Sequence, residues 1–151
     1  MKLLIFFTFF LITKMASAEF FQDISNIIKN NKERLSYGIS VTDFNKDGQF
    51  EFIVTGFRYP NLALSYKKGY LENLINEEVF SDNMRSTIGV AACDIDDDGF
   101  EELYFLNTDT YSGRKQYSDR LLDSQTKIID LFEVEKNLKS LNLTAGRSVV
   151  C

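Results

Sequence analysis

The sequence predicts an all-β protein built from repeated sheets of four antiparallel strands. Two acidic loops of the same pattern, starting at Asp43 and Asp94, lie 51 positions apart in a chain of 151 residues. Both loops are flanked by short apolar runs rich in β-branched and aromatic residues, which are typical of strands. The similarity between the two halves continues beyond the loops, which indicates an internal repeat of about 50 residues.

The first 18 residues have the pattern of a secretory signal peptide. Lys2 is followed by an apolar run from Leu3 to Ile12, and Ala16-Ser17-Ala18 supplies a cleavage site of small residues. This run is too short to cross the roughly 30 Å hydrocarbon core of a bilayer as a helix. We therefore expect cleavage before Glu19 and no membrane span in the mature chain. The protein is expected to be secreted, or in a bacterium to reach the periplasm or cell surface.

Each repeat is predicted to contain four strands. Ile24, Ile27 and Ile28 have helical spacing within residues 20–34, which predicts a short helix leading into the first strand. The predicted strands are 39–42, 52–54, 61–66 and 70–74 in the first repeat, and 90–93, 103–106, 119–123 and 127–131 in the second. Four antiparallel strands in about 50 residues match the size of a β-propeller blade. A sandwich of short strands is the competing architecture.

The acidic loops have the composition of calcium sites. Residues 43–51 and 94–102 both fit D-x-[DN]-x-D-G-x-x-E. Alternate side chains of such a loop point inward, and glycine at position 6 permits the positive φ that brings in the carbonyl of position 7. A shell of oxygen atoms without Cys or His suits Ca²⁺ better than Mg²⁺, which usually keeps several waters. The predicted ligands are Asp43, Asn45, Asp47, Gln49 (carbonyl) and Glu51, and Asp94, Asp96, Asp98, Phe100 (carbonyl) and Glu102.

An EF-hand is excluded by the residues around these loops. It needs an acid at position 12 and a helix on each side. Position 12 is Val54 in the first loop and Phe105 in the second, and both loops are flanked by strand-like sequence. Two solvated acidic turns between strands remain the alternative to metal sites.

The chain resembles known calcium-bearing repeats. The pattern Gly-x-x-x-x-Asp-x-[Asp/Asn]-x-Asp-Gly, followed by an apolar strand, is similar to the FG-GAP or VCBS repeat of propeller blades. A closer resemblance is to the cartilage acidic protein family of secreted propeller proteins, which resembles this chain in using Glu at position 9. The segments that carry the resemblance are 37–43, 60–64, 88–96, 102–108, 117–121 and 145–151.

The resemblance implies a partial propeller in residues 19–151. Repeats are expected at about 37–75 and 88–132, with the start of a third at about 145–151. A closed propeller needs about four or more blades. We therefore expect the chain to be a fragment of a longer protein, whereas two blades that join other chains in an oligomeric ring are the alternative.

The two cysteines leave their pairing open. Cys93 directly precedes the second acidic loop, and Cys151 is the last residue of the sequence. An oxidising compartment favours a disulfide, but Cys also packs unpaired as a small apolar residue. The sequence gives no distance between the two. Asn142-Leu143-Thr144 is an N-glycosylation sequon, which matters only in a eukaryotic secretory pathway.

The charges outside the loops give no sign of a nucleic-acid partner. The basic pairs Lys67-Lys68 and Arg114-Lys115 are isolated and are expected to be solvated turn charges. The long connections 76–87 and 107–117 hold charged and aromatic residues that could contact a partner, although solvated connectors are the simpler expectation. Removing residues 1–18, which contain two lysines and no acid, changes the formal net charge from −5 to −7.

Catalysis is not expected. The chain has no His, which removes the commonest general base and every Ser-His or Cys-His arrangement. The expected function is that of a secreted calcium-binding module that contacts an extracellular protein or glycan, or acts as a scaffold. The alternative is a fragment of an extracellular carbohydrate-active enzyme with a calcium-stabilised propeller, because carboxylates can serve such enzymes without His.

Overall fold

The computed structural model describes residues 21–151, so the predicted signal peptide lies outside the described residues. They form two antiparallel sheets, with the strand orders β1-β2-β3-β4 and β5-β6-β7-β8. The strands are β1 (Ile39–Thr42), β2 (Glu51–Val54), β3 (Leu62–Lys67), β4 (Tyr70–Asn73), β5 (Thr87–Cys93), β6 (Glu102–Asn107), β7 (Arg120–Asp123) and β8 (Ile129–Asp130). The helical elements of this part of the chain are α1 (Glu78–Ser81) and the 3-10 turns η1 (Ser25–Ile27) and η2 (Glu135–Ser140). The predicted all-β fold class is confirmed.

The two sheets repeat one structural unit, because equivalent side chains bond equivalent backbone groups. Asn61 precedes β3, and its Oδ1 accepts a hydrogen bond from the N–H of Gly56 at 2.9 Å. Asp119 precedes β7 and accepts the corresponding bond from Asn107 at 2.7 Å. The fourth strands show the same equivalence. The side chain of Asn73 accepts a hydrogen bond from the N–H of Ala63, and the side chain of Asp130 accepts one from the N–H of Leu121. The sequence repeat is therefore also a repeat of structure.

The core lies between the two sheets and is centred on three aromatic rings. The ring of Phe80 lies 5.6 Å from that of Phe44 and 5.7 Å from that of Phe105, within the favourable range for aromatic pairs. The other buried members are Ile53, Ala63, Val90, Leu103 and Leu122. Phe80 is fully buried although it belongs to α1 in the connection between the sheets. The expectation of a solvated connector is therefore wrong at this residue, because the gap between the sheets needs an apolar side chain to fill it.

Lys115 is buried as well, which corrects the expectation of a solvated turn charge. Its Nζ lies 2.5 Å from Oδ1 of Asp119 and donates to the carbonyl oxygen of Asn107 at 3.0 Å. Asp119 also accepts hydrogen bonds from the Tyr104 hydroxyl and the Asn142 amide. Burial, assisted by the neighbouring Asp119, raises the pKa of Tyr104 to about 12. This network ties the connection between β6 and β7 to the C-terminal segment.

The helix predicted within residues 20–34 is wrong for the described part of that segment. Only the single turn η1 forms there. Ile28 then makes a parallel bridge with Leu71, and the N–H of Lys29 donates to the Leu71 carbonyl at 2.9 Å. Asn30 has a φ of 55°, which is incompatible with a continuing helix. The edge of β4 supplies hydrogen bonds that replace those of a helix.

Residues 145–151 form no regular strand, although the predicted start of a third blade requires one there. A strand needs a partner strand for its backbone groups, and no strand within residues 21–144 pairs with this segment. A disulfide instead joins Cys151 to Cys93, with their Cα atoms 5.8 Å apart. The pairing of the two cysteines, which the sequence leaves open, is therefore a disulfide, while the third blade stays a prediction.

Two isoleucines of the first sheet offer a matched test of this core. Ile53 is 0% exposed and Ile39 is 61% exposed. We expect Ile53→Ala to lower the free energy of unfolding by about 2–4 kcal/mol, because it deletes buried methyl groups and leaves a cavity. Ile39→Ala should change it by less than about 0.5 kcal/mol. Urea unfolding at fixed calcium measures both values, and equal losses would contradict the placement of the core.

The buried ion pair is tested by removing its cation. Lys115→Met should lower the free energy of unfolding by about 3 kcal/mol, because it leaves the Asp119 carboxylate buried without its counter-charge. Arg114→Met, at the exposed neighbouring position, should have an effect within about 0.5 kcal/mol. The same urea measurement applies. If both variants match the parent protein, Lys115 is solvated after all.

Candidate metal centre

Two loops of the same build join β1 to β2 and β5 to β6. In the first loop, the carboxylate of Asp43 accepts hydrogen bonds from the N–H groups of Asp47, at 3.0 Å, and Gly48, at 2.9 Å. Asp47 in turn accepts one from the N–H of Gln49 at 2.9 Å. The side chains at positions 1 and 5 therefore hold the backbone in a tight turn.

The second loop has the same three bonds. Asp94 accepts hydrogen bonds from the N–H groups of Asp98, at 3.1 Å, and Gly99, at 2.9 Å. Asp98 accepts one from Phe100 at 2.8 Å. Because both loops use the same donors and acceptors, the shared sequence pattern produces a shared geometry.

The glutamate at position 9 is the buried member of each loop. Glu51 is 0% exposed and accepts a hydrogen bond from the N–H of Phe44 at 3.1 Å. Glu102 is 3% exposed and accepts one from Ile95 at 2.8 Å. Burial raises the pKa of both carboxyl groups above the ordinary value, since removal from water disfavours the charged form. A cation in the loop would offset this cost.

Positive φ angles occur at two positions of each loop. Gly48 and Gly99 at position 6 have φ angles of 82° and 84°, and the sequence analysis predicts positive φ there. Space would permit a Cβ at either glycine, so the backbone conformation is the reason for this residue type. Lys46 and Asp97 at position 4 are also left-handed, with φ angles of 60° and 61°. Sequence reasoning missed position 4, where Lys46 gives no signal and only Asp97 is of a type enriched at positive φ.

The second loop brings three of its predicted ligands together. One carboxylate oxygen from each of Asp94, Asp96 and Glu102 lies within 4.8 Å of the other two. Oxygens bound to one calcium ion at about 2.3–2.6 Å are at most about 5 Å apart, so these three side chains fit a single ion. Asp98 is outside this group of three, and its two oxygens accept hydrogen bonds from the Gln125 side-chain amide and the Phe100 N–H.

In the first loop, unlike the second, an amide nitrogen lies among the predicted ligand oxygens. Asn45 directs its amide nitrogen at two other predicted ligands, with Nδ2 at 3.2 Å from Asp47 and 3.5 Å from Glu51. Its Oδ1 accepts a hydrogen bond from the N–H of Asp47 at 3.0 Å. A bound cation would have to replace the two amide contacts. Within residues 21–151, the only group of three acids placed to hold a metal ion is that of the second loop.

Several contacts of the loops escape sequence reasoning. Ser124, in the turn between β7 and β8, donates its hydroxyl to the Phe44 carbonyl at 3.0 Å. The ammonium group of Lys46 lies over the Phe100 ring, so the two loops touch. These contacts join residues far apart in the sequence, and no local pattern signals them. The carbonyl ligands assigned to Gln49 and Phe100 stay predictions.

No family model matches the chain. Among residues 21–151, no helix has the length and apolar character needed to cross a membrane.

Individual known proteins are similar over most of the chain. It is 45% identical to cartilage acidic protein 1 of Xenopus tropicalis over 134 residues, which cover 81% of this chain and 21% of the relative. The Homo sapiens protein of the same name is 41% identical over 134 residues, or 81% of this chain and 20% of the relative. The Mus musculus protein is 40% identical over 136 residues, with 81% and 21% covered. The chain thus spans about a fifth of the length of these curated relatives, and the matches support its relationship to the cartilage acidic proteins.

Proposed function

We propose that this chain is a calcium-binding part of a secreted β-propeller of the cartilage acidic protein family, and that it serves extracellular interaction or scaffolding. The observation that carries the proposal is the pair of equivalent loops. Each braces itself with the same hydrogen bonds and ends in a buried glutamate. Two copies with one geometry are the expected result if both loops hold the same ion.

Calcium is the ion that fits the second loop best. Its carboxylates Asp94, Asp96 and Glu102 converge without any His or Cys, and Ca²⁺ prefers such oxygen ligands. Carboxylates this close repel one another unless a cation lies between them. A purely structural acidic turn would gain from the buried Glu102 a hydrogen bond with the Ile95 N–H, which offsets only part of the cost of burying the carboxylate.

The propeller arrangement is supported by a difference between the two sheets, because the apolar face that is buried in the second sheet is exposed in the first. Val90 in β5 and Leu103 in β6 are 7% and 0% exposed, because this face packs in the core that the two sheets share. The equivalent residues of the first sheet, Ile39 and Phe52, are 61% and 39% exposed. The outer face of the first sheet is therefore apolar and lacks a covering sheet within residues 21–151. Further repeats placed around a common axis would cover it.

The first strands of the two sheets lie close enough for such a radial arrangement. A Cβ atom added to Gly38 would lie 2.8 Å from the Cα of Gly89. Glycine at these two positions therefore lets β1 and β5 approach each other as innermost strands of a propeller would.

Secretion is supported by three features. Residues 1–18 have the sequence of a signal peptide. The relatives are named for cartilage, a tissue rich in extracellular matrix, and this fits an exported protein. The Cys93–Cys151 disulfide also fits an oxidising compartment.

Removal of calcium should destabilise the mature chain. Binding to the folded state alone contributes about 2.7 kcal/mol per site at a hundredfold excess over Kd, or roughly 5 kcal/mol for two sites. We therefore expect thermal melts of residues 19–151 to show a Tm lower by roughly 10 °C or more in a chelator than in calcium. The double variant Asp43→Ala/Asp94→Ala is the control and should melt at the same temperature in both solutions. An unchanged Tm of the parent protein would show that the loops are only acidic turns.

The two sites should differ in affinity. The second loop offers the carboxylates Asp94, Asp96, Asp98 and Glu102, whereas Asn45 replaces one of them in the first loop. Calcium affinity rises with ligand charge in comparable loops. Calorimetric titration should therefore show that Asp94→Ala removes the tighter of two binding events and Asp43→Ala the weaker.

The matched control for this titration is Glu101→Gln, an exposed acid of the second loop outside the predicted ligand set. It should change either affinity by no more than about twofold, as expected for a screened surface charge. A greater loss from Asp43→Ala than from Asp94→Ala would overturn the ranking of the sites.

A further inference from the structure

The backbone of the sequon Asn142-Leu143-Thr144 is bonded to the connection between β6 and β7. The N–H of Lys115 donates to the Leu143 carbonyl oxygen at 2.7 Å. Thr144 forms an isolated antiparallel bridge with Arg114. The fold therefore holds the acceptor sequence in a fixed place against another segment of the chain.

The Asn142 side chain faces the buried ion pair of this connection. Its Nδ2 donates to Oδ2 of Asp119 at 2.5 Å and lies 3.5 Å from the hydroxyl oxygen of Tyr104. Its Oδ1 accepts a hydrogen bond from the N–H of Thr144 at 3.0 Å. These partners fix the orientation of the amide, because an ionised carboxylate only accepts hydrogen bonds and a backbone N–H only donates them. Both ends of the amide are therefore occupied within the protein.

The carboxylate of Asp119 depends on this amide to complete its hydrogen bonds. Asp119 is 0% exposed, and its Oδ1 accepts from the N–H of Asn107 at 2.7 Å and from Nζ of Lys115 at 2.5 Å. Its Oδ2 accepts from the Tyr104 hydroxyl at 2.8 Å and from Asn142. Without Asn142, a buried carboxylate oxygen would lose one of its two donors, and an unsatisfied buried acceptor is costly.

We infer that Asn142 is a structural partner of Asp119 and that the folded protein carries no glycan at this sequon. An N-linked glycan replaces one hydrogen of the amide nitrogen with a sugar, which is bulky and belongs on a solvated surface. The two hydrogens of the Asn142 amide point toward oxygen atoms of Asp119 and Tyr104. Attachment of a sugar would require the side chain to leave this network, and Asp119 would then lose a donor.

This role of Asn142 is independent of calcium. The acidic loops precede β2 and β6, whereas the connection that Asn142 contacts follows β6 at the other end of that strand. A protein whose Tm did not respond to calcium would contradict the proposed function and would leave the contacts of Asn142 unchanged.

Secretion from mammalian cells tests whether the sequon is used. Residues 19–151, exported behind a signal peptide of those cells, should have the unmodified mass before and after treatment with peptide N-glycosidase F. The matched control is Glu33→Thr, which places a second sequon at Asn31, an exposed residue in irregular backbone. This variant should carry one glycan, which the same enzyme removes. A glycan on Asn142 of the secreted parent protein would overturn the inference.

Thermal melts in calcium test the structural role with two variants that both destroy the sequon. Asn142→Asp places a second carboxylate beside Asp119 and should lower the Tm by roughly 5 °C or more, because repulsion replaces a hydrogen bond at a buried group. Thr144→Val should stay within about 1 °C of the parent Tm, because Thr144 is exposed and valine retains the N–H that bonds Asn142. Equal Tm values for the two variants would contradict the structural role of Asn142.

Discussion

A carboxylate buried at the start of the second strand is the constraint on which each repeat depends. Glu51 and Glu102 end the acidic loops and begin β2 and β6, and both lie beneath the surface. Backbone N–H groups, those of Phe44 and Ile95 among them, donate to these carboxylates, which compensates only part of the cost of removing an ionised group from water. A cation bound in the loop, as proposed above, would offset the rest of this cost. The same residue thus links the geometry of the loop to the register of the sheet.

In the second repeat, aspartates replace two buried asparagines of the first repeat, and each of these aspartates is paired with a cation. Asn61 caps the entry to β3 as a neutral amide, whereas Asp119 does so before β7 and is paired with Lys115. On the fourth strand, Asp130 replaces an asparagine and is paired with Arg120 at 2.8 Å. Burial alone would lower the pKa of Arg120, but the surrounding carboxylates raise it. Asp119 and Asp130, the two acids that replace asparagines, are thus each accompanied by a cation that the first repeat lacks, which keeps the shared hydrogen bonds without leaving either buried charge unpaired.

The sequence predicts what local patterns determine. Short apolar runs and the internal repeat locate the eight strands, and the loop pattern identifies Gly48 and Gly99, whose positive φ is observed. Prediction from the sequence fails where the burial of a side chain depends on residues that are distant in the sequence. Phe80 and Lys115 lie in connections and have the neighbours of solvated residues, yet the second sheet buries both. The convergence of Asp94, Asp96 and Glu102 follows from their spacing within one loop. The contact between the Asn45 amide and the Asp47 carboxylate could not be predicted from the same spacing.

The two ends of the molecule share one core. Phe44, the second residue of the first acidic loop, packs on Phe80, whose carbonyl oxygen accepts a hydrogen bond from the Asn61 side chain at 3.0 Å. The Asn61 side chain also accepts a hydrogen bond from the N–H of Gly56, just after the end of β2, and so fixes the backbone at the end of the sheet opposite the acidic loop. Order in the first acidic loop and order in the β2–β3 connection at the opposite end therefore both depend on the position of Phe80. A cation that fixes the acidic loop would stabilise this ring in place, and the surface at the far end would gain rigidity without contacting the ion.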